Sequence, residues 1–381
     1  MNRWAVQGSM VIGREVHDDF LLICEDGKIT YVGPKRDDEQ PDRIVEDGLI
    51  APGYIDVHVH GSNGYDVMDG TKEALRGMAQ ALAGYGVTGF LATTLTGDLE
   101  HLRNVLATCR QFADGSSNGA QLLGIHLEGP WINAKHKGAQ NGEHVVAPTP
   151  EAAKRLLEAA GGLLKIVTLA PEQPQAAEVI ELLEAHGVRP SVGHSDATYE
   201  HVKDAIGHGL AHVTHCYNAM RGLHHREPGV VGAAMYHDEL TTELIADGLH
   251  VHPVAMSILY RLKQSDGLVL VSDGMRAVGM EDGDYDLGGL PVQMRGGEAR
   301  LADGTLAGST LTLDQAVRNM VRYCDVPVGE AVAMASETPA KVIGVADRKG
   351  KLQVGYDADF LILDHELNVQ ATYIGGRLVE Q

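Results

Sequence analysis

Residues 121–129 read QLLGIHLEG: an apolar run that closes in His126, Glu128 and Gly129, with Pro130 next. A strand of this kind, apolar along its length and titratable at its end, recurs through the middle of the chain. Seven other stretches are β-rich: IDVHVH (55–60), TGFLATTL (88–95), LKIVTLAPE (164–172), RPSVGHSDA (189–197), HVTHCYN (212–218), TELIADGLH (242–250) and LVLVSDG (268–274). Between most of them lie stretches with helical periodicity, such as TKEALRGMAQALAGYG, DLEHLRNVLATCRQFAD, PEAAKRLLEAAGG and AAEVIELLEAHG. Eight β units with helical crossovers predict a parallel α/β architecture, closed as a (β/α)8 TIM-like barrel. An open doubly wound sheet is the alternative closure of the same alternation.

Outside this region the two ends of the chain read alike. Residues 5–50 contain short strands with turn signals, and Asp26-Gly27 between apolar runs predicts a hairpin turn. Residues 350–381 repeat the style in GKLQVGYDADFLILD and QATYIGGRLV. The expected organisation is a small β-sandwich domain from 1–50 plus 349–381, with the catalytic barrel at 51–348 inserted between its halves. Two unrelated edge hairpins are the other reading. Residues 217–235 and 280–308 interrupt the βα pattern, and the second, glycine-rich, is expected to carry a hairpin. Long excursions of this kind are often functional.

Composition bounds the function. With 381 residues, 44% apolar and 22% charged, the chain can bury a core and is not a disordered polymer. A net charge of −21 argues against nucleic acid or an anionic membrane as partner. An anionic ligand would need a local positive pocket. Cys24, Cys109, Cys216 and Cys324 are scattered, which predicts free thiols in a reducing compartment. No apolar run approaches a membrane span, and the first residues lack the apolar core of a secretory signal, so a cytoplasmic protein is expected.

The chemistry is read from where the polar residues fall. They gather at the C-terminal ends of the strands, the face on which a barrel builds its active site. His58 and His60 lie two apart on one strand and so point to the same side. Glu128, His194, His215, His250 and Asp273 end later strands. Burying several imidazoles and carboxylates together is costly without a cation. Imidazole with carboxylate suits zinc, iron or another first-row divalent ion. One ion would take Glu128, His194 and His215. A second would take His58 and His60, sharing Glu128 or Asp273. Asp273 is the candidate general base and acid: it would accept a proton from activated water and pass it to a leaving group.

These residues carry a resemblance. APGYIDVHVHG, LLGIHLEGPW, VGHSDA, THCYNAM, HHREPGVVG, ELIADGLHVHP, VSDGMRA and DGTLAGSTLT together resemble the N-acetylglucosamine-6-phosphate deacetylases, a family of the amidohydrolase superfamily, over essentially the whole chain. The resemblance implies a distorted barrel, a small β-sandwich, a homodimer, and hydrolysis of the N-acetyl group of an aminosugar 6-phosphate to glucosamine 6-phosphate and acetate. It implies Glu128, His194 and His215 as the main metal ligands and Asp273 as catalytic acid/base. Some members lack the H-x-H pair and hold one metal; His58 and His60 imply two here. It further implies substrate contacts at Ala139, Gln140, Asn218, Ala219, Arg226, His250, Leu306, Ala307 and Gly308. Some members carry His where this chain has Gln140. Arg226, with His224 and His225 in a loop after the sixth strand, would help form the positive pocket for a phosphate.

Three rival readings remain. The same chemistry on N-acetylgalactosamine 6-phosphate differs by one hydroxyl orientation. A dihydroorotase-like cyclic amidase would need a carbamylated lysine at the end of the fourth strand. That strand ends in Leu169-Ala170-Pro171-Glu172, and Lys165 lies at its start, roughly 13 Å away at about 3.3 Å per residue. A sugar-phosphate-binding barrel without catalysis would not need Asp273.

Overall fold

The computed structural model describes residues 3–113, 115 and 118–380. All eight predicted barrel strands form: Tyr54–Val59, Val87–Thr93, Gln121–Glu128, Leu164–Leu169, Arg189–Val192, His212–Val213, Thr241–Ile245 and Leu268–Val271. They pair in parallel and in chain order. The first and last strands meet at their C-terminal ends, where the Asp273 amide donates to the His58 carbonyl at 2.9 Å and the His60 amide to the Gly274 carbonyl at 2.9 Å. The buried Asp56 carboxylate spans the same seam, accepting from the His58 and Ser272 amides at 3.2 and 3.4 Å. The sheet is therefore a nearly closed barrel and not an open doubly wound sheet.

Two strands are shorter than their sequence pattern. The fifth stops at Val192 and the sixth at Val213. Beyond them the backbone bonds to loops and side chains instead of a ladder: the His215 amide donates to Glu243 Oε2 at 3.1 Å and the Ser195 amide to the Ala219 carbonyl at 3.2 Å. Apolar runs predicted these strands, but the residues at their ends are shaped for the site.

The crossover helices follow local signals. Pro150–Ala160 begins after Thr149, whose hydroxyl accepts from the Ala152 amide, has proline in its first turn, and ends at Gly161 in the left-handed conformation. Its buried face, Ala153, Leu156 and Ala160, packs into the shell around the barrel.

Both ends of the chain enter one sheet. In spatial order it runs Arg377–Leu378, Val369–Ile374, Phe360–Leu363, Leu49–Pro52, Arg3–Ile12, Glu15–Glu25 and Lys28–Pro34, with Arg43–Ile44 also on Arg3–Ile12. Phe360–Leu363 pairs antiparallel with Leu49–Pro52, which ties the C-terminal strands to the N-terminal ones. Its core includes Val6, Met10, Leu22, Ile50, Phe360 and Tyr373, with Trp4 stacked on Tyr373 at 4.7 Å between centroids. Asp26 and Gly27 have φ of 48° and 84°, the two positive values a tight two-residue hairpin requires.

The 280–308 excursion carries three antiparallel strands, Gly283–Leu287, Leu290–Arg295 and Glu298–Arg300. Leu287, Val292, Met294 and Ala299 pack it against Leu95, Met275 and Ala307 beside the barrel mouth. Cys24, Cys109, Cys216 and Cys324 are free thiols. Among the described residues no helix is long and apolar enough to cross a membrane.

Candidate active site at the barrel mouth

Two groups of donor atoms face each other where the strands end. In one, Glu128 Oε1 lies 3.0 Å from His194 Nε2 and 3.1 Å from His215 Nε2, and the two imidazole nitrogens are 3.1 Å apart. In the other, His58 Nε2 and His60 Nε2 are 3.2 Å apart, with Asp273 Oδ1 at 3.4 and 3.1 Å from them. Glu128 stands between the groups, its Oε1 at 3.6 Å from His58 Nε2 and its Oε2 at 3.4 Å from His60 Nε2. All six residues are buried.

Three of the four rings, His194, His60 and His58, are oriented from behind. His194 Nδ1 faces the His136 carbonyl at 3.0 Å, and His60 Nδ1 faces the Thr93 carbonyl at 3.2 Å. A carbonyl accepts only, so each Nδ1 carries the hydrogen and each Nε2 turns a lone pair into the site in its neutral form. His58 Nδ1 faces Glu243 Oε2 at 2.8 Å to the same effect. Neutral imidazole lone pairs set 3.1–3.2 Å apart repel unless a proton or cation lies between them. Donor separations of 3.0–3.1 Å in the Glu128 group are close to the roughly 3.3 Å edge of a tetrahedron with bonds of about 2.0–2.1 Å. The donor set, its hydrogen-bonded outer partners and its spacing fit a divalent metal.

Backbone strain marks the same places. His194, His215 and Asp273 have φ of 47°, 27° and 49°, in the left-handed region that side chains other than glycine rarely adopt. Each sits where a strand turns away from the barrel, and the turn carries its side chain into the mouth. Three such conformations at one site are held by surrounding structure at a cost of about 1–3 kcal/mol each.

Charge balance is tight. Burial works to raise the Glu128 pKa, but the imidazoles of His58, His194 and His215 outweigh it and hold the carboxyl well below its ordinary range. Asp273 is likewise held down, against burial, by His58, His60 and His215. Burial works to lower His58, and Glu243, Asp273 and Glu128 outweigh it to raise the ring to about 10. Protons on the imidazoles and a divalent ion are alternative counter-charges for these carboxylates. His126 is the exception. Burial, with His58 nearby, pushes it down to about 3. Its nitrogens face the Val57 carbonyl at 3.0 Å and Thr168 Oγ1 at 2.7 Å, as in a neutral structural histidine.

A cavity of about 340 Å³ opens onto these donor groups. Ala139, Gln140, Asn218, Ala219, His250, Leu306 and Gly308 line it, together with His60, Glu128, His194, His215 and Asp273. His250 is held by Asp247, whose Oδ2 lies 2.6 Å from its Nδ1. Gln140 donates to Glu128 Oε2 at 2.6 Å and accepts from the Thr96 amide at 2.7 Å, so its amide braces the carboxylate that stands between the two donor groups. Two expected substrate contacts are not on the wall. Ala307 is fully buried, its amide bonded to the Ala299 carbonyl, and serves the hairpin. Arg226 is exposed, its guanidinium 2.9 Å from His225 Nε2. A larger cleft, about 930 Å³, lies between the terminal sheet and the other end of the barrel. There Lys349 is already paired with Asp357 and Asp359.

Two residues escaped the sequence reading. Glu243 is fully buried beneath the donor groups and bonds to His58 and His212. Its one signal was a lone charge inside the strand TTELI. Arg300 is the sole lysine or arginine among the described cavity-lining residues. Glu298 and the Gly304 carbonyl hold its guanidinium at 2.7–2.9 Å. Nothing in the sequence distinguished it from a solvated hairpin charge.

Comparison with known proteins agrees with this geometry. The chain is 41% identical over 376 residues to the N-acetylglucosamine-6-phosphate deacetylase of Bacillus subtilis (strain 168), covering 97% of this chain and 95% of that protein. It is 41% identical over 367 residues to the N-acetylgalactosamine-6-phosphate deacetylase of Escherichia coli O157:H7, covering 95% of each. Among solved structures, a mutant N-acetyl-D-glucosamine-6-phosphate deacetylase from Mycobacterium smegmatis, in complex with N-acetyl-D-glucosamine-6-phosphate, superposes with a TM-score of 0.95 at 32% identity, covering 100% of both chains. The sequence pattern of the amidohydrolase family matches residues 49–379, and the chain belongs to that family.

Proposed function

We propose that the protein hydrolyses the N-acetyl amide of N-acetylglucosamine 6-phosphate to glucosamine 6-phosphate and acetate in amino-sugar catabolism. One observation carries the reading: the Asp273 carboxylate opens onto the same cavity as the Glu128–His194–His215 group, within 3.1 Å of His60 Nε2. Near-full-length similarity to deacetylases supports the substrate class.

Glu128, His194 and His215 would hold one divalent ion, zinc or iron, and His58 and His60 a second, with Glu128 or Asp273 shared. When bound, such ions supply Lewis acidity, which polarises a carbonyl and acidifies water. Asp273 takes a proton from the attacking water and returns it to the sugar nitrogen as the carbon–nitrogen bond breaks, a role worth typically 10²–10⁴-fold in rate. Gln140 keeps Glu128 in place. His250, held by Asp247, and the Asn218–Ala219 turn would receive the phosphate, and Arg300 adds the fixed positive charge that an acidic protein needs there. Remote grip on the phosphate orients the reacting amide. Arg226 stands outside the cavity of its own chain. Its expected phosphate contact requires movement of its loop or a second copy of the chain.

A homodimer is part of the reading. Val254, Ile258 and Leu262, one turn apart on the helix Pro253–Gly267, are 61%, 44% and 48% exposed, and Leu223, Tyr236 and Leu249 are exposed as well. A second copy would cover this apolar stripe. Free thiols fit a cytoplasmic setting.

The test is acetate release from N-acetylglucosamine 6-phosphate, its galactosamine isomer and the unphosphorylated sugar, before and after chelation. Turnover favouring the glucosamine 6-phosphate and lost with chelator supports the proposal. Preference for the galactosamine isomer keeps the chemistry and changes the sugar, a reading favoured by the equal 41% identity to the E. coli relative. No turnover of any of the three by metal-loaded protein rejects the deacetylase.

A further inference from the structure

Glu243 is a buried carboxylate that the hydrolysis itself does not use. It sits in the middle of the seventh barrel strand, Thr241–Ile245, and its side chain is inaccessible to solvent. It accepts from three directions. His58 Nδ1 lies 2.8 Å from Oε2, the His215 amide donates to Oε2 at 3.1 Å, and His212 Nε2 lies 3.1 Å from Oε1. His212 is itself fixed, its Nδ1 2.6 Å from Thr241 Oγ1. The carboxylate thus cannot rotate without losing bonds at both oxygens.

These contacts divide unequally between the two metal groups. Glu243 reaches the ring of His58 directly. It reaches the Glu128–His194–His215 group through one backbone amide only. His194 and His60 have carbonyl partners of their own, at His136 and Thr93. His58 alone among these rings has its Nδ1 set by a carboxylate.

Glu243, His58 and His126 are also close enough to suggest a third cation group. The bonds argue otherwise. His126 has the Val57 carbonyl on one nitrogen and Thr168 Oγ1 on the other. The His58 nitrogen that faces Glu243 is the one turned away from the cavity. Glu243 therefore acts behind the site.

We infer that Glu243 is a positioning residue. It locks His58 with Nδ1 toward itself and Nε2 toward His60 and Asp273, and so governs uptake of the second ion while leaving the first group nearly independent. This rests on the two-ion reading above. In Glu243→Gln the side chain keeps its shape but loses the negative charge, and a neutral amide oxygen accepts from His58 Nδ1–H more weakly than the carboxylate does.

The experiment measures zinc and ferrous iron per chain in wild type, E243Q, H58Q and the double variant, with chelator competition for affinity and thermal melting of each metal-free protein. Two ions are expected in wild type. E243Q should keep the first at wild-type affinity and hold the second roughly 10–100-fold more weakly, the range for loss of a ligand's outer partner. The double variant should match H58Q, because Glu243 works through that ring. E243Q binding both ions as wild type does would overturn the assignment. So would a double variant that falls well below H58Q in first-ion affinity or metal-free melting temperature, which would make Glu243 a general fold support. A wild type that takes one ion would reject the two-ion reading, and the assignment with it.

Discussion

At the scale of residues, the site works through pairs. A donor residue faces the cavity, and for His58, His60, His194 and Glu128 a partner behind it chooses which atom it offers. His194 depends on the His136 carbonyl, His60 on that of Thr93, and Glu128 on Gln140. Arg300 follows the same rule on the substrate side, since Glu298 fixes its guanidinium at the cavity wall. A charge-assisted contact to a phosphate is worth about 1.5–3 kcal/mol. Arg300→Ala should therefore raise KM for the phosphorylated sugar about 10–100-fold and leave the unphosphorylated sugar nearly unchanged. Steady-state kinetics on both substrates checks this. Equal losses on the two would make Arg300 a support of the hairpin only.

At the scale of elements, the barrel strands separate packing from chemistry. On the third strand His126 and Glu128 are turned to the polar interior, and Leu127 between them is fully buried in the main apolar core. Leu127→Ala should cost about 2–5 kcal/mol of stability, seen as a lower melting temperature. Metal content should stay at the wild-type value, because the strand's other face is untouched. Loss of metal at a temperature where the variant is still folded would contradict that division. The same alternation explains what could be read in advance. Apolar runs announced every barrel strand, and the titratable residues at their ends announced the two donor groups at the mouth. Strand length was not legible where the chain turns into the site, as after Val192 and Val213. Glu243 was missed because a single charge in a strand carries no period. Arg226 and Ala307 lie off the cavity wall because long-range packing, which no local pattern carries, sets which loop residues reach it.

At the scale of the whole molecule, both ends of the chain close one sheet around Leu49–Pro52 and Phe360–Leu363, and the barrel hangs between them. The site opens at one end of the barrel, while an apolar stripe lies open along Pro253–Gly267. Sedimentation of wild type should give twice the chain mass. Ile258→Asp, placing a charge in that stripe, should shift the protein toward a single chain without loss of helical signal. A monomeric wild type would contradict the dimer.

In the proposed hydrolysis Asp273 moves the proton between water and the sugar nitrogen. The most direct measurement compares wild type and Asp273→Asn for acetate release, N-acetylglucosamine 6-phosphate affinity and metal content. In the variant kcat should fall about 10²–10⁴-fold, with substrate affinity and the ion proposed at Glu128, His194 and His215 retained. Wild-type turnover in the variant would contradict that role.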